Sequence, residues 1–324
     1  MSTATSTATS TATTAAPQLL PMILAEVDVR RVERLTPTFL RVELGADALA
    51  DFGVDGPLLD QRIKLLFPGP QGLPDLAAPG FQGPGWYQTW LAMPEDARGC
   101  VRTYTVRDVV GSGTDTRVVV DVVLHLADGA AGPGSLWASR VAVGDRIGLI
   151  APRRGFPFGG IEFAPAAAQR LLLVGDETAV PAVASILEDL PEDAAGKVYL
   201  EVPTGADVLD LRVPAGVQLA WLPRDGAPYG DRACRAVLAL FGLQYDAEEQ
   251  VEEIDPDLWE TPTHSSSGQE IVMGSEPAGG LYAWVAGEAG MVTRLRRHLV
   301  RDAGLDRRQV AFMGYWRQGV AMSS

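Results

Sequence analysis

The chain has 324 residues, of which 47% are hydrophobic, and a formal net charge of −14. That length accommodates two domains of ordinary size with well-buried cores. The acidity argues against a general nucleic-acid binder, which needs a basic surface to neutralise phosphates. No run of about 18 continuous apolar residues is present, so neither a transmembrane helix nor a membrane partner is expected. Cys100 and Cys234 lie far apart with no CxxC, which excludes a four-cysteine iron–sulfur cluster and a disulfide framework. His125, His264 and His298 are too scattered for a metal-ligand spacing. A cytoplasmic protein with packed thiols and no bound metal is the expectation.

In chain order, residues 1–20 open as the Ser/Thr/Ala run MSTATSTATSTATTAAP. It has almost nothing to bury and reads as a disordered, low-complexity tail. Without a basic n-region or an apolar h-region, it is expected to be neither a signal peptide nor an anchor. Residues 21–164 read as short strands: MILAEVDVRRVERL, FLRVEL, RIKLLF, VRTYTVRDV, TRVVVDVVLHL and DRIGLIAP, each bounded by Gly, Pro or Asp. Six such strands predict a small antiparallel β-barrel. The Pro- and Gly-rich loop from Pro68 to Gly99 is long enough to be a lid or a peripheral wrap. Over 165–324 the pattern becomes strand–helix alternation, from RLLLVGD and AVPAVASILEDL to LYAWVAGE, GMVTRLRRHLVRDAG and QVAFMGYWR. This predicts an α/β domain on a parallel sheet covered on both faces. An acidic stretch over about 244–280 interrupts it and is expected to be a surface insertion.

Three stretches carry chemistry. In RTYTVR, strand alternation sets Arg102, Tyr104 and Val106 against Thr103, Thr105 and Arg107, and neither face is apolar. The segment therefore looks ligand-facing. Arg102 offers forked donors suited to a pyrophosphate. Tyr104 can lie against a planar ring, and Thr105 can bond to its edge. Downstream, GPGSLWA reads as a glycine-rich turn opening a short helix near Gly134 or Ser135, where exposed N–H groups favour phosphate. In VGDETAVP the first strand-to-helix turn has only Gly175, so the generic GxGxxG fingerprint fails. Thr178 there can offer donors to phosphate, whereas Asp176 and Glu177 would repel it if they pointed inward. WVAGE, with Gly287 and Glu288, ends a second strand at the same carboxyl edge.

RTYTVRDV, VDVVLH…GPGSLWAS, LLLVGDETAVPAVASILEDLP and WVAGEAGMVTRLRRHLV…GYWRQG, in this order, resemble the siderophore-interacting protein family, from about Val27 to Gly319. These are FAD-containing ferric-siderophore reductases related to ferredoxin reductases. The resemblance implies a six-stranded FAD-binding barrel followed by a ferredoxin-reductase-like nucleotide domain. It implies that Arg102 holds the FAD pyrophosphate, Tyr104 the isoalloxazine face and Thr105 its N5 edge, with Tyr104 and Thr105 in the catalytic position. Val106, Asp121, Val123 and His125 would line the cofactor. Gly132, Pro133, Gly134 and Ser135 would form the phosphate turn, followed by Leu136 and Trp137. The family often has alanine at Gly134, and extra residues separate His125 from Gly132. Asp176, Glu177, Thr178, Gly287 and Glu288 would meet the nicotinamide nucleotide.

Glu201, after the second strand of this half, favours NADH through a ribose hydroxyl, while Arg224, after the third, favours NADPH through its 2′-phosphate. The ferredoxin-reductase likeness gives Arg224 the greater weight, making NADPH the expected donor with NADH possible. Trp316 and Arg317 would line a groove for a ferric siderophore, with Arg294, Arg297 and Arg301 either a solvated helix face or part of a basic patch. The implied reaction is hydride transfer from NAD(P)H to FAD, then reduction of siderophore-bound Fe(III), freeing iron because hard oxygen ligands hold Fe(II) weakly. A general NAD(P)H–flavin oxidoreductase serving a partner protein, and a non-catalytic siderophore carrier, are the alternatives. Plainer roles also stand: Tyr104 and Thr105 as strand residues, His125 as a core histidine, Ser135 as a helix cap, Trp137 and Trp284 as packing.

Overall fold

A computed structural model describes residues 20–126, 131–247, 258–262, 264–265 and 280–319. The low-complexity opening up to residue 19 and most of the 244–280 stretch lie outside the described residues.

The first half contains β1 (Met22–Arg34), β2 (Phe39–Gly45), β3 (Arg62–Phe67), β4 (Cys100–Thr105), β5 (Asp108–Val110), β6 (Arg117–Val123) and β7 (Arg146–Pro152). They form one antiparallel sheet in the order β4-β3-β7-β1-β2-β6-β5. Period-two alternation points Val118, Val120 and Val122 of β6 into the barrel core, leaving Val119, Asp121 and Val123 on the outer face. The edge strands β4 and β5 are consecutive in the chain. Between them the backbone bends, with Val106 N–H donating to Gln61 O and Arg107 N–H to Val119 O at 2.8 and 2.9 Å. The two edges are thus turned toward each other and covered. The expected six strands are therefore seven, because the VRTYTVRDV run breaks at this bend.

The Pro68–Gly99 loop carries the short helices α1 (Trp86–Leu91) and α2 (Glu95–Arg98). Its Leu76, Phe81 and Trp90 pack onto Leu24, Leu66 and Ile150 on the outside of the barrel, so it is a wrap rather than a lid. After it comes α3 (Pro133–Ala138), at the open end of β6.

The second half contains β8 (Arg170–Gly175), α4 (Val180–Asp189), β9 (Ala195–Val202), β10 (Gly216–Pro223), α5 (Asp231–Leu240), β11 (Trp259–Thr261), β12 (His264–Ser265), β13 (Leu281–Glu288), α6 (Ala289–Arg297) and β14 (Val310–Trp316). The sheet order is β10-β9-β8-β13-β14-β11-β12. The first five are parallel, while β11 pairs antiparallel with β14 and β12 with β11. The expected parallel sheet is thus a mixed one. Part of the expected insertion supplies its far edge, with Leu258 and Glu260 buried. Apolar residues cover both faces of β8 and β13, giving one core under α4 and another under α5 and α6. Among the described residues no helix is long and apolar enough to cross a membrane.

The two halves share a seam. Phe39 of β2 is fully buried in the core beneath α4. Ser185 of α4 donates its hydroxyl to Arg107 O at the barrel bend (2.8 Å), and Arg107 forms a forked pair with Glu188 at 2.8 and 2.6 Å. Buried Asp60 accepts from Trp284 Nε1 at 3.1 Å, and Arg62 lies over the Trp259 ring at 4.2 Å. Asp207, 1% exposed, accepts from Thr36 Oγ1 and Thr38 N of the barrel and from Thr204 N and Oγ1 of its own turn. Asp207→Ala should cost about 1–3 kcal/mol for each buried donor it orphans. Urea unfolding checks this: the midpoint should fall for Asp207→Ala and hold for Glu26→Ala, whose pair with Arg146 is open to solvent.

Candidate functional site

On the barrel side, β4 and α3 meet. Tyr104 packs edge-on to Phe67 at 5.9 Å, and Phe67 packs edge-on to Trp137 at 5.5 Å. The Tyr104 phenol sits over Gly134: a Cβ there would lie 2.0 Å from Oη and 3.3 Å from Cζ. Burial pushes the phenol pKa above its ordinary range. Ser135 Oγ donates to Val123 O and accepts from His125 N, both at 3.1 Å, stitching α3 to the end of β6. Ser135 therefore does not cap its own helix. The capping position is Gly132, which has no side-chain hydrogen bond and open space around it, and Pro133 follows at the first turn. An uncapped glycine turn against Tyr104, on the strand that also carries Arg102, has the donors and the flat apolar surface that a flavin diphosphate needs, so these residues fit FAD. Arg102 Nη1 donates to Val101 O at 2.7 Å, Thr105 is buried, and Leu136 is exposed beside the turn.

The side chains of three expected cofactor residues point elsewhere. Val106 is fully buried in the barrel core. Asp121 is held by Arg41 through two bonds of 2.7 and 2.8 Å on the outer face. Val123, on the same face, packs into the core beneath α4. Alternation on the strands turns these three side chains into core or seam.

On the α/β side, the carboxyl ends of β8 and β13 gather buried acids. Asp176 is 0% exposed and accepts from Thr178 N (2.9 Å), Thr178 Oγ1 (2.5 Å), Glu288 N (2.7 Å) and Trp316 Nε1 (2.8 Å). Burial and the neighbouring Glu177 push its pKa up to about 6. Gly287 makes this packing possible: its φ is +142°, and a Cβ would lie 2.7 Å from Asp176 Cγ. Thr178 thus spends its hydroxyl on Asp176 rather than presenting it to a phosphate. Glu288 caps α6 through Met291 N at 3.0 Å.

Glu177, also fully buried, joins the two halves. Its Oε1 lies 2.9 Å from His125 Nε2 of the barrel, and Arg224 pairs with both its oxygens at 2.6 and 2.8 Å. Burial opposes the charge on Glu177, but the bonds from His125 and Arg224 outweigh it and hold the pKa below the usual carboxylate range. The ionised carboxylate only accepts, so His125 Nε2 carries the proton. The His125 ring lies 4.7 Å from Trp316, Tyr229 is 4.8 Å from Trp316, and Arg224 covers Tyr229 at 4.1 Å.

Arg224, expected to read a 2′-phosphate, is 5% exposed inside this cluster. Glu201, the expected ribose contact, is fully buried and accepts from Gly230 N and Ala233 N at 2.7 and 2.9 Å. Both side chains are engaged within the chain, Arg224 by Glu177 and Glu201 by the backbone at the start of α5. Trp316 comes to the His125 side of the site, with half-buried Arg317 next to it. Arg294 instead bonds Tyr245 Oη from α6, Arg297 ends that helix, and Arg301 lies in the π-helical turn that follows it. Sequence reasoning missed Phe67 and Tyr229. The aromatic in the PYGDR turn just before α5 was the available signal for the second.

Comparison with known proteins agrees with this architecture. Residues 28–156 match the family described as siderophore-interacting FAD-binding domain, and residues 168–319 match the family described as siderophore-interacting protein. An uncharacterized protein of Mycobacterium tuberculosis is 30% identical over 294 residues, covering 90% of this chain and 89% of its own. The ferric vibriobactin reductase ViuB of Vibrio cholerae is 29% identical over 293 residues, covering 90% and 89%. A siderophore utilization protein from T. fusca superposes with a TM-score of 0.63 at 29% identity, covering 94% of this chain and 96% of that one. A Plasmodium falciparum ferredoxin-NADP+ reductase, at 11% identity and a TM-score of 0.53, shares the fold alone. With a curled antiparallel sheet leading into a mixed α/β sheet of ferredoxin-reductase type, and with both family matches in sequence along it, the chain belongs to the siderophore-interacting protein family.

Proposed function

We propose that the protein is a ferric-siderophore reductase that uses FAD and a nicotinamide dinucleotide, NADPH or NADH, in the cytoplasm. Residues 21–164 form the flavin half and 165–324 the nucleotide half. The observation that carries the reading is the uncapped Gly132–Ser135 turn, closed onto Tyr104 of the R-x-Y-T strand. Likeness to a ferric vibriobactin reductase over nine-tenths of the chain supports the substrate class.

Bound FAD would supply the conversion of a two-electron hydride into single electrons for Fe(III). The chain's own residues hold and orient. Arg102 and the α3 turn bind the diphosphate, while Tyr104 gives the ring a flat wall and Thr105 a hydrogen-bonding edge. His125, fixed by Glu177, sets the distance between barrel and nucleotide sheet. Trp316 and Arg317 border the groove through which the ferric chelate approaches. One hydride carries two electrons, so two ferric ions are reduced for each nucleotide oxidised. Reduced iron then leaves its hard oxygen ligands.

The direct test is a visible spectrum of the purified protein, anaerobic bleaching by NADH and NADPH, and then addition of ferric hydroxamate and catecholate chelates. Reappearance of the oxidised flavin band with formation of Fe(II) is expected. Reduced flavin that persists with every chelate would reject the siderophore role and favour service to a partner protein. A colourless protein that takes up no FAD would reject both. Arg102→Ala removes a charge-assisted contact of about 1.5–3 kcal/mol, so the dissociation constant for FAD, measured by fluorescence titration, should rise roughly tenfold to a hundredfold. Gly134→Ala should force the Tyr104 phenol off α3 and weaken FAD binding. Adding Tyr104→Phe should recover most of the loss, because the hydroxyl makes the 2.0 Å contact and the ring carbon lies at 3.3 Å.

A further inference from the structure

We infer that Glu177 determines nucleotide specificity: by sequestering Arg224 it closes the sheet edge to a 2′-phosphate, so that NADH rather than NADPH is the hydride donor. This rests on the proposed reductase reading and names its nucleotide.

In open α/β sheets the dinucleotide lies beyond the carboxyl ends of the strands. The ribose is read by an acid, or its 2′-phosphate by an arginine, at the ends of the strands next to the first. Here those ends are Glu201–Val202 of β9 and Pro223 of β10, followed by Arg224. Over residues 201–207 and 223–230 Arg224 is the only Lys or Arg in the sequence, so it is the one arginine at the strand ends themselves.

Arg224 is committed inward. It makes a forked pair with Glu177 at 2.6 and 2.8 Å, a third contact with Glu201 at 3.4 Å, and stacks on Tyr229 at 4.1 Å. Both acids are fully buried. If the guanidinium swung out toward a phosphate, it would leave two buried carboxylates without their counter-charge, the costliest way to break a buried ion pair. Glu177 cannot follow, because His125 of the barrel also holds its Oε1 at 2.9 Å. The next residue, Asp225, is exposed at φ +50° and adds a negative charge to the same edge. A dianionic 2′-phosphate therefore meets carboxylate at the strand ends, where the one arginine is already paired; the next cation along the chain, Arg232 in the first turn of α5, is exposed. Glu201 bonds to Gly230 N and Ala233 N and does not present itself to a diol, so the discrimination is by exclusion.

The test compares NADH and NADPH in anaerobic bleaching of the holoprotein, together with calorimetric binding of 5′-AMP and 2′,5′-ADP. NADH should be at least about tenfold more efficient in kcat/KM, and 2′,5′-ADP should bind no more tightly than 5′-AMP. In Glu177→Gln the preference should shift toward NADPH, and 2′,5′-ADP should gain on 5′-AMP. Equal or better use of NADPH by the native protein overturns the inference, as does tighter binding of 2′,5′-ADP. These native-protein measurements decide it even where the variant does not fold. If NADPH proves the better donor and ferric chelates still reoxidise the flavin, only the inference fails. If neither dinucleotide bleaches the flavin, the inference falls together with the nicotinamide part of the proposed function, and reduction by dithionite then asks whether ferric reduction survives.

Discussion

A carboxylate taken wholly out of water must be matched by donors that cannot leave, and Glu177 shows what that requirement does to a two-part protein. Its donors come from opposite sides: His125 from the last turn of a barrel strand, and Arg224 from the end of a strand in the other sheet. Separating the halves would strand the charge, which is far more destabilising than losing a surface pair. That one ion chain ties the end of the barrel strand β6 to the ends of β8 and β10. The Asp207, Ser185 and Asp60 contacts around the seam extend the same constraint over its whole length.

The acids at the sheet edge are arranged differently from a phosphate-binding turn. Where a dinucleotide fold usually presents glycines and bare N–H groups, this chain puts Asp176 and satisfies it internally with four donors, one of them the indole of Trp316. The close approach of Gly287 leaves no room for any other residue there. Donors suited to a diphosphate are concentrated instead in the barrel half, at the open turn of α3 and at Arg102. Negative charge gathered on one side of the site and phosphate donors on the other give the site a polarity.

Much of this was readable along the chain. The six apolar runs of the first half all became strands, and the strand–helix rhythm of the second half marked a nucleotide-type sheet, because hydrophobic period and turn residues are local properties. RTYTVR stood out for a local reason as well: neither of its faces suited a core. The break at Val106–Arg107 escaped notice because it is caused by two different partners, β3 and β6, drawing the same strand in two directions. The third residue group of the sheet edge, at Tyr229, escaped because its importance comes only from the rings brought to it.

The sequence by itself determined the two-part order, the short strand RTYTVR and the glycine turn that opens α3, since each depends on residues within a few positions of one another. Tertiary structure alone decided what the charged residues do. Asp121 finds Arg41 80 positions away, and Arg224 finds Glu177 47 positions away. Each is expected from the sequence as a ligand contact, and in the folded chain each is held in a buried ion pair. An ionic side chain is defined by its partner, and a partner brought by folding leaves no trace in the neighbouring letters.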